Sequence, residues 1–320
     1  MDPLSSLLSG IRAEGSVVTH AVLRSPWTIR FADRAPLVMV TVLRGGGTLV
    51  LADGSSTRLV AGDTAVVQAC EPFHLADTRA TLDRPHMGYE LSCFVPRGFG
   101  PADLACATPE LVETATGTPE ETSLIVGAYR ASGRRHERLL RALPPVMVVS
   151  DDPEVCAWLE QSAADAVRLS AGSQALMDRL LDWALVCTLR TWLAAQQHCA
   201  PAWYRGMADP VVGPALEAIH NDPFRRWTVA DLAAEAAVSR ALFARRFSEV
   251  MGETPLAYLT EWRMAEAEEL LADPNRSVAQ VATTVGYSDA FGFSAAFKRL
   301  RGQSPSEFRS TLRRPALARV

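Results

Sequence analysis

Residues 228–251 (TVADLAAEAAVSRALFARRFSEVM) and residues 277–300 (SVAQVATTVGYSDAFGFSAAFKRL) carry one pattern twice, about fifty residues apart. The segments that follow match as well, MGETPLAYL at 251–259 against RGQSPSEFR at 301–309. An internal repeat constrains a fold strongly, because each copy must form the same supersecondary unit. In the first copy Thr228 is a helix N-cap and Asp231 an acid in the first turn. Val229, Leu232, Ala233 and Ala236 give one apolar face. Ala237-Val238-Ser239 reads as a tight turn, and Ser239 caps a second helix that buries Leu242, Phe243, Phe247 and Val250 and shows Arg240, Arg245 and Arg246. In the second copy Ser277 opens a helix with Val278, Val281 and Ala282 inward. Gly286 takes the turn, where glycine reaches positive φ at little cost, and Ser288 or Asp289 caps a helix burying Phe293 and Phe297. A short helix, a tight turn and a basic second helix form the helix-turn-helix of DNA-reading domains. Pro255 to Leu271 reads as one joining helix of about 17 residues, ~25 Å long, a rod able to set two recognition helices about one DNA turn apart.

The chain has 320 residues, enough for two domains. CAPAWYRGMADPVVG (199–213) breaks a long helical pattern with two prolines and two glycines, which places a boundary near 208. Residues 1–208 carry 18 Arg and 22 acids, a net of −4; residues 209–320 carry 14 basic and 14 acidic groups, a net of zero. Within the second part the signs are sorted: residues 298–320 hold seven basic groups and one acid, while Glu261, Glu266, Glu268, Glu269 and Asp273 cluster. Such sorting allows a basic face. The single Lys (Lys298) against 31 Arg reads as codon bias. No apolar run is long enough to span a membrane, and the start lacks a secretory pattern, so a cytoplasmic protein without membrane contact is expected.

The first part reads as β. LVMVTVL (37–43) is an apolar, β-rich run, followed by Gly45-Gly46-Gly47, a run at 48–51, an Asp53-Gly54 hairpin turn, a run at 57–60, Gly62-Asp63 and a run at 64–69. Short strands with glycine turns predict an antiparallel barrel or sandwich. Residues 3–12 have the spacing of a short amphipathic helix. Residues 151–198 switch to helical period, one helix opening at Asp151-Asp152-Pro153-Glu154 and a second, after Gly172-Ser173, with a stripe of Leu176, Leu180, Trp183, Ala184, Cys187, Leu189, Trp192 and Leu193. That stripe must bury against the barrel or a second copy of itself; a homodimer is the preferred expectation. The fold class is therefore α+β: an antiparallel β-barrel (1–150), a helical dimerisation and linker region (151–208) and an all-α domain with two helix-turn-helix units (209–320).

GYSDAFGFSAAFKRLRGQSPSEFR is similar to the signature region of the AraC/XylS family of transcriptional regulators, and TVADLAAEAAVSRALFARRFSEVMGETPLAYLTEWRM resembles the family's first unit. The resemblance covers residues 209–310. It implies a seven-helix domain that binds double-stranded promoter DNA, usually activating transcription through RNA polymerase. By analogy the base-facing positions are Arg240, Ala241, Ala244 and Arg245, with Ser239 and Arg246 beside them, and Phe291, Gly292 and Ala295 in the second unit, with Ser288 and Asp289 beside them. Many relatives have Arg where this chain has Ala295, so Lys298 and Arg299 are expected on phosphates.

AGDTAVVQACEPFHLAD (61–77) looks like the second half of a cupin barrel, and ALPPVMVV (142–149) with the following helices resembles the cupin-type sensors of some AraC-like regulators. Only His74 falls at a metal-ligand position of cupin enzymes; His20 and His86 would have to join it, so no metal and no cofactor are expected. An effector pocket would be lined by Trp27, Met39, Phe73, His74, Met87 and Tyr89. The six cysteines form no CxxC pair. Cys70, Cys93 and Cys106 are the candidates for thiol oxidation, a second sensing route. A regulator controlled by a small molecule or by thiol oxidation in the barrel is thus expected, with coupling through the 151–198 helices and the 199–213 linker. A cupin-type enzyme with an appended DNA-binding domain is the alternative, disfavoured by the missing histidines, and an architectural DNA binder is a third class.

Overall fold

The structure, a computed structural model, describes residues 3–8, 10–13, 19–32, 35–83, 88–91, 121–131, 135–150, 172–196 and 200–313. These fall into two compact units, one drawn from residues 11–131 and 143–195, the other from 1–10, 132–142 and 196–320.

The first unit is built on two sheets. Its strands are β1 (Ile11–Arg12), β2 (Thr19–Arg24), β3 (Thr28–Phe31), β4 (Ala35–Arg44), β5 (Gly46–Val50), β6 (Ser56–Val60), β7 (Asp63–Ala69), β8 (Phe73–Ala76), β9 (Gly88–Leu91), β10 (Glu121–Ala131) and β11 (Val146–Ser150). One sheet runs β1-β10-β4-β7-β11, with β2 also on β10; the other runs β6-β5-β8-β3-β9. Among the described residues every strand pairing is antiparallel except β3 with β9, at a sheet edge, which is parallel and departs from the all-antiparallel expectation. Gly45, Gly54 and Gly62, at the turns read from sequence, all have positive φ.

Val38, Val40 and Val42 point between the sheets, into a core with Trp27, Ile29, Phe31, Leu49, Val67, Phe73, Leu75, Leu124 and Val126. The residues alternating with them, Leu37, Met39 and Thr41, are buried as well. A strand covered on both faces loses its polar alternation, which is why LVMVTVL reads as a continuous apolar run. The other face is covered by a helix, Ser173–Gln196. At Gly127, paired with Met39, an added Cβ would come within 2.6 Å of Leu181 Cδ2. Beside it the Tyr129 hydroxyl donates to the Leu181 carbonyl at 2.7 Å. That docking sets the buried stripe of the helix as Met177, Leu181, Ala184, Leu185, Leu189 and Leu193. The stripe expected from sequence is rotated: Leu176 and Trp183 are 52% and 46% exposed, and Leu180 and Cys187 are half-buried. The helix expected from Asp151 onward lies outside the described residues.

In the second unit the helices are α1 (Pro3–Leu8), α2 (Arg135–Ala142), α4 (Ala202–Ala208), α5 (Gly213–Asn221), α6 (Val229–Glu235), α7 (Arg240–Met251), α8 (Pro255–Ala272), α9 (Val278–Thr284), α10 (Ala290–Arg301) and α11 (Pro305–Arg313), the helix on the sheet being α3. α1 is shorter than its sequence pattern, because Ile11 and Arg12 leave it to pair with Ala131 and Arg130 as β1. α6–α7 and α9–α10 are the two helix-turn-helix units, and the repeat is physical in detail. Thr228 with Asp231, and Ser277 with Gln280, each form a reciprocal capping box. The turns close with the same bonds, Val238 N–H to Ala233 O at 3.1 Å and Tyr287 N–H to Ala282 O at 2.9 Å. Both second helices end in a left-handed glycine, Gly252 and Gly302, each with φ 75°. α8, 18 residues and about 27 Å long, joins the units.

The left-handed turn residue differs between copies: Ala237 has φ 53° and Gly286 φ 83°. At Gly286 a Cβ would also fall 2.5 Å from the Phe224 carbonyl oxygen. A left-handed non-glycine residue costs about 1–2 kcal/mol, and the Phe224 clash adds to it. Gly286→Ala is therefore expected to destabilise this unit by more than about 2 kcal/mol in denaturant unfolding, while Ala237→Gly shifts stability by less than about 1 kcal/mol, strain relief offsetting lost stiffness.

Candidate nucleic-acid interface

Each recognition helix is seated by aromatic packing. In the first unit the Phe243–Phe247 and Phe247–Tyr258 ring centroids lie 5.6 and 5.9 Å apart. In the second the Phe293–Phe297 and Phe297–Phe308 centroids lie 5.6 and 5.5 Å apart. Two phenylalanines one turn apart fix which face of each helix is turned to solvent. On α7 that face carries Arg240, Ala241 and Arg245, all exposed, with Ala244 half-buried. Leu242, expected inside, is 39% exposed, because the inward line runs through Phe243 and Phe247. Arg245 has only a loose contact, Nε to Glu249 at 3.6 Å, and its side chain is 71% exposed.

Arg246 is held differently. Its Nε–H and Nη2–H donate to Asp209 Oδ2 at 2.9 and 2.7 Å. Asp209 Oδ1 in turn accepts the amides of Val211 and Val212 at 2.9 and 3.0 Å, ahead of α5. Arg246 thus ties the recognition helix to the start of α5, a positioning role that the sequence signal of a basic side chain does not reveal. Asp209 itself had no signal beyond its place before Pro210. Burial pushes the Asp209 carboxyl up, but the Val211 amide, the Arg246 guanidinium and the Val212 amide together hold it below the usual carboxylate range.

Ser239 and Asp289 act as caps: Ser239 Oγ accepts Leu242 N–H at 3.3 Å, and Asp289 Oδ1 accepts Gly292 N–H at 2.8 Å. The Ser288 hydroxyl donates to Asp289 Oδ2 at 3.3 Å. The Gly292 amide lowers the Asp289 pKa most; burial opposes it, and the Ser288 hydroxyl and Phe291 amide add smaller lowering effects. On α10, Phe291, Ala295, Lys298 and Arg299 are exposed and Gly292 is half-buried. At its far end Arg301 pairs with Glu268 and, at 2.9 Å, with Glu261, both on α8. The acidic cluster noted in the sequence therefore holds the second recognition helix to the rod.

In the sheet unit Trp27, Met39, Phe73 and His74, the described side chains among those expected around an effector, do not share one face. Trp27 and Phe73 belong to the core between the sheets, Phe73 stacked on Phe31 at 4.4 Å. Met39 lies on the opposite face, with the Tyr129 hydroxyl 3.5 Å from its sulfur. His74 pairs across strands with Arg30, and the pattern of buried Phe73 and Leu75 turns it away from that core. Burial and then the Arg30 charge lower its pKa. Met87 lies outside the described residues, as do His86, Cys93 and Cys106; only backbone pairing is described for Tyr89 and His20. Cys70 is exposed and Cys187 half-buried. Among the described residues no three His, Cys, Asp or Glu side chains gather as a metal site requires, and no helix is long and apolar enough to cross a membrane.

A two-sheet unit and a doubled helix-turn-helix whose second helices both expose basic side chains, on α10 only in its last turn, define a DNA-binding regulator. A family model described as Cupin matches residues 2–194, and one described as Helix-turn-helix domain matches residues 232–311. A Streptomyces lividans protein named as an AraC-like transcription regulator is 32% identical, over 97% of this chain and 98% of its own. The transcriptional regulator AlkR of Acinetobacter baylyi is 26% identical over 97% and 99% of the two chains. The RCS-specific transcriptional activator RclR of Escherichia coli is 26% identical over 99% and 100%. The chain belongs to the AraC-like family of transcription regulators.

Asp209 supplies a test of how α7 is held. A carboxylate with a depressed pKa contributes stability above its unfolded value, about 3.9, and loses it as pH falls through the folded value. Arg246→Ala is expected to cost about 1–2 kcal/mol near neutral pH and to move the onset of acid unfolding to higher pH, read by denaturant melts between pH 3 and 7.

Proposed function

We propose that this regulator grips promoter DNA with α7 in one major groove and α10 in the next, and that the sheet unit controls this through a signal. Arg240, Ala241, Ala244 and Arg245 face bases from the first unit; Phe291, Gly292 and Ala295 do so from the second, with Lys298 and Arg299 on phosphates. The observation that carries the reading is the contrast between two adjacent arginines: Arg246 is bound to Asp209, whereas Arg245 is exposed with only Glu249 at 3.6 Å. Arginine that is not pinned can turn its two donors to guanine O6 and N7.

Several further features follow from the same reading. The protein acts in the cytoplasm, as a regulator and not as an enzyme, in keeping with relatives named as regulators. RclR is named an RCS-specific transcriptional activator, which supports an activating role; this protein activates through RNA polymerase in answer to a small molecule or thiol oxidation, with exposed Cys70 the described thiol among the candidates. Leu176 and Trp183, seven residues apart on α3 and both exposed, offer an apolar seam for a homodimer. α2 is joined to β10 and β11 by three residues at each end, so it shares in the coupling along with residues 151–213.

The reading is tested by titrating the full chain onto the DNA upstream of its own and neighbouring genes, at several salt concentrations. Binding that exceeds that to random DNA is expected, with Arg245→Ala costing about 1–3 kcal/mol at the specific site; unchanged affinity would refute the assignment. Replacing Lys298 by Ala is expected to weaken specific and random DNA alike and to reduce the salt slope by about one. Leu176→Glu with Trp183→Glu is expected to shift sedimentation toward monomer while leaving far-ultraviolet circular dichroism unchanged; a dimer that persists would refute the seam.

A further inference from the structure

The exposed face of α10 offers a duplex no free hydrogen-bonding side chain over its first two turns. Phe291, the second residue of the helix, is 85% exposed, the highest value among the exposed large apolar side chains of the described residues. Ala290 and Gly292 flank it, and Ala295 is exposed one turn on. The polar groups nearby are occupied within the chain. Asp289 takes the Gly292 amide and the Ser288 hydroxyl, and the Ser294 hydroxyl donates to the Ala290 carbonyl at 2.7 Å. Lys298 and Arg299 follow only in the third turn. The core does not require a phenyl ring at 291, since Phe293 and Phe297 fill it. Nor does it require glycine at 292, where an added Cβ would meet nothing closer than the Asp289 carboxylate at 3.5 Å. A bare, narrow helix start with one projecting ring admits close approach to a groove floor.

We infer that Phe291 reads DNA by apolar contact with the 5-methyl group of a thymine, so that the half-site under α10 is specified by a methyl and not by a base-edge hydrogen bond. The N-terminal residues of a recognition helix are those that reach base edges. In the major groove thymine alone among the four bases shows a methyl, and phenylalanine is one of the side chains that contact it. Removing ring and methyl from water together favours that base. The inference rests on the DNA contacts of the preceding section.

The test uses the full chain on its footprinted operator. Each thymine in turn is replaced by deoxyuridine, which deletes only the methyl. One thymine in the half protected by α10 is expected to lose about fourfold in affinity, the worth of one buried carbon. Phe291→Ala is expected to weaken the natural operator and to show no further loss at that deoxyuridine, while Phe291→Leu keeps part of the thymine preference. Because the side chain is exposed, the Ala variant should retain the unfolding midpoint of the wild type. Silence of every thymine in that half, or a Phe291→Ala variant with the wild-type thymine-to-uracil ratio, overturns the inference while leaving the Arg245 reading intact. Absence of any protected operator, or an Arg245→Ala variant of undiminished affinity, counts instead against the broader reading.

Discussion

Both recognition helices depend on one constraint, a pair of phenylalanines one helical turn apart, packed against an aromatic ring from the helix that follows. Phe243 packs on Phe247, which meets Tyr258; Phe293 packs on Phe297, which meets Phe308. Because side chains three or four apart share a helix face, seating these rings decides which residues face solvent. The left-handed turn before each helix and the left-handed glycine after it set its two ends. Within that frame the outward residues are free of any packing duty, which is the condition for a surface that can vary with the sequence it reads.

The frame is then tightened by buried charge. Arg246 ties the first recognition helix to Asp209, whose side chain is 6% exposed, and Arg301 ties the second to Glu268, whose side chain is 2% exposed. Charges this shielded must be paired, since a lone buried carboxylate loses its hydration without return. Each pair joins a recognition helix to a neighbouring element, so each resists the rocking of that helix that would blur contact with a groove. The two copies achieve this with different residues: the position of Arg301 is taken in the first copy by buried Met251.

Much of this was legible in the sequence, for a physical reason. Caps, turns and aromatic spacing are local signals, and a repeat supplies each of them twice. Thr228, Ser239, Gly286 and the four phenylalanines all have the places that their pattern implied. The partners of charged residues are not local. Arg245 and Arg246 look alike in the chain, and only the fold brings Asp209, 37 positions away, to one of them. The sheet unit shows the same limit. LVMVTVL announced a buried strand, but not that Val38 and Met39 bury on opposite faces, one between the sheets and one under α3. Grouping Met39 and His74 with Trp27 and Phe73 therefore joined side chains that face away from the core between the sheets to two that lie in it, because neighbours on a strand point to opposite sides.

The repeat is close in its core and unequal on its surface. The outward face of α7 carries guanidinium groups at its first and sixth residues, while that of α10 begins with an exposed phenyl and small side chains and becomes basic only near its end. Two copies of one scaffold thus present different chemistry on their outward faces. Hydrogen-bond donors discriminate among bases by angle and register, whereas an apolar contact discriminates by the presence of a methyl group and tolerates small shifts. A site read this way has no internal two-fold symmetry within one protomer, and its orientation on the duplex is fixed by which half carries the donors' partners. That asymmetry lies in the surface residues, since the phenylalanine pairs beneath both helices are alike.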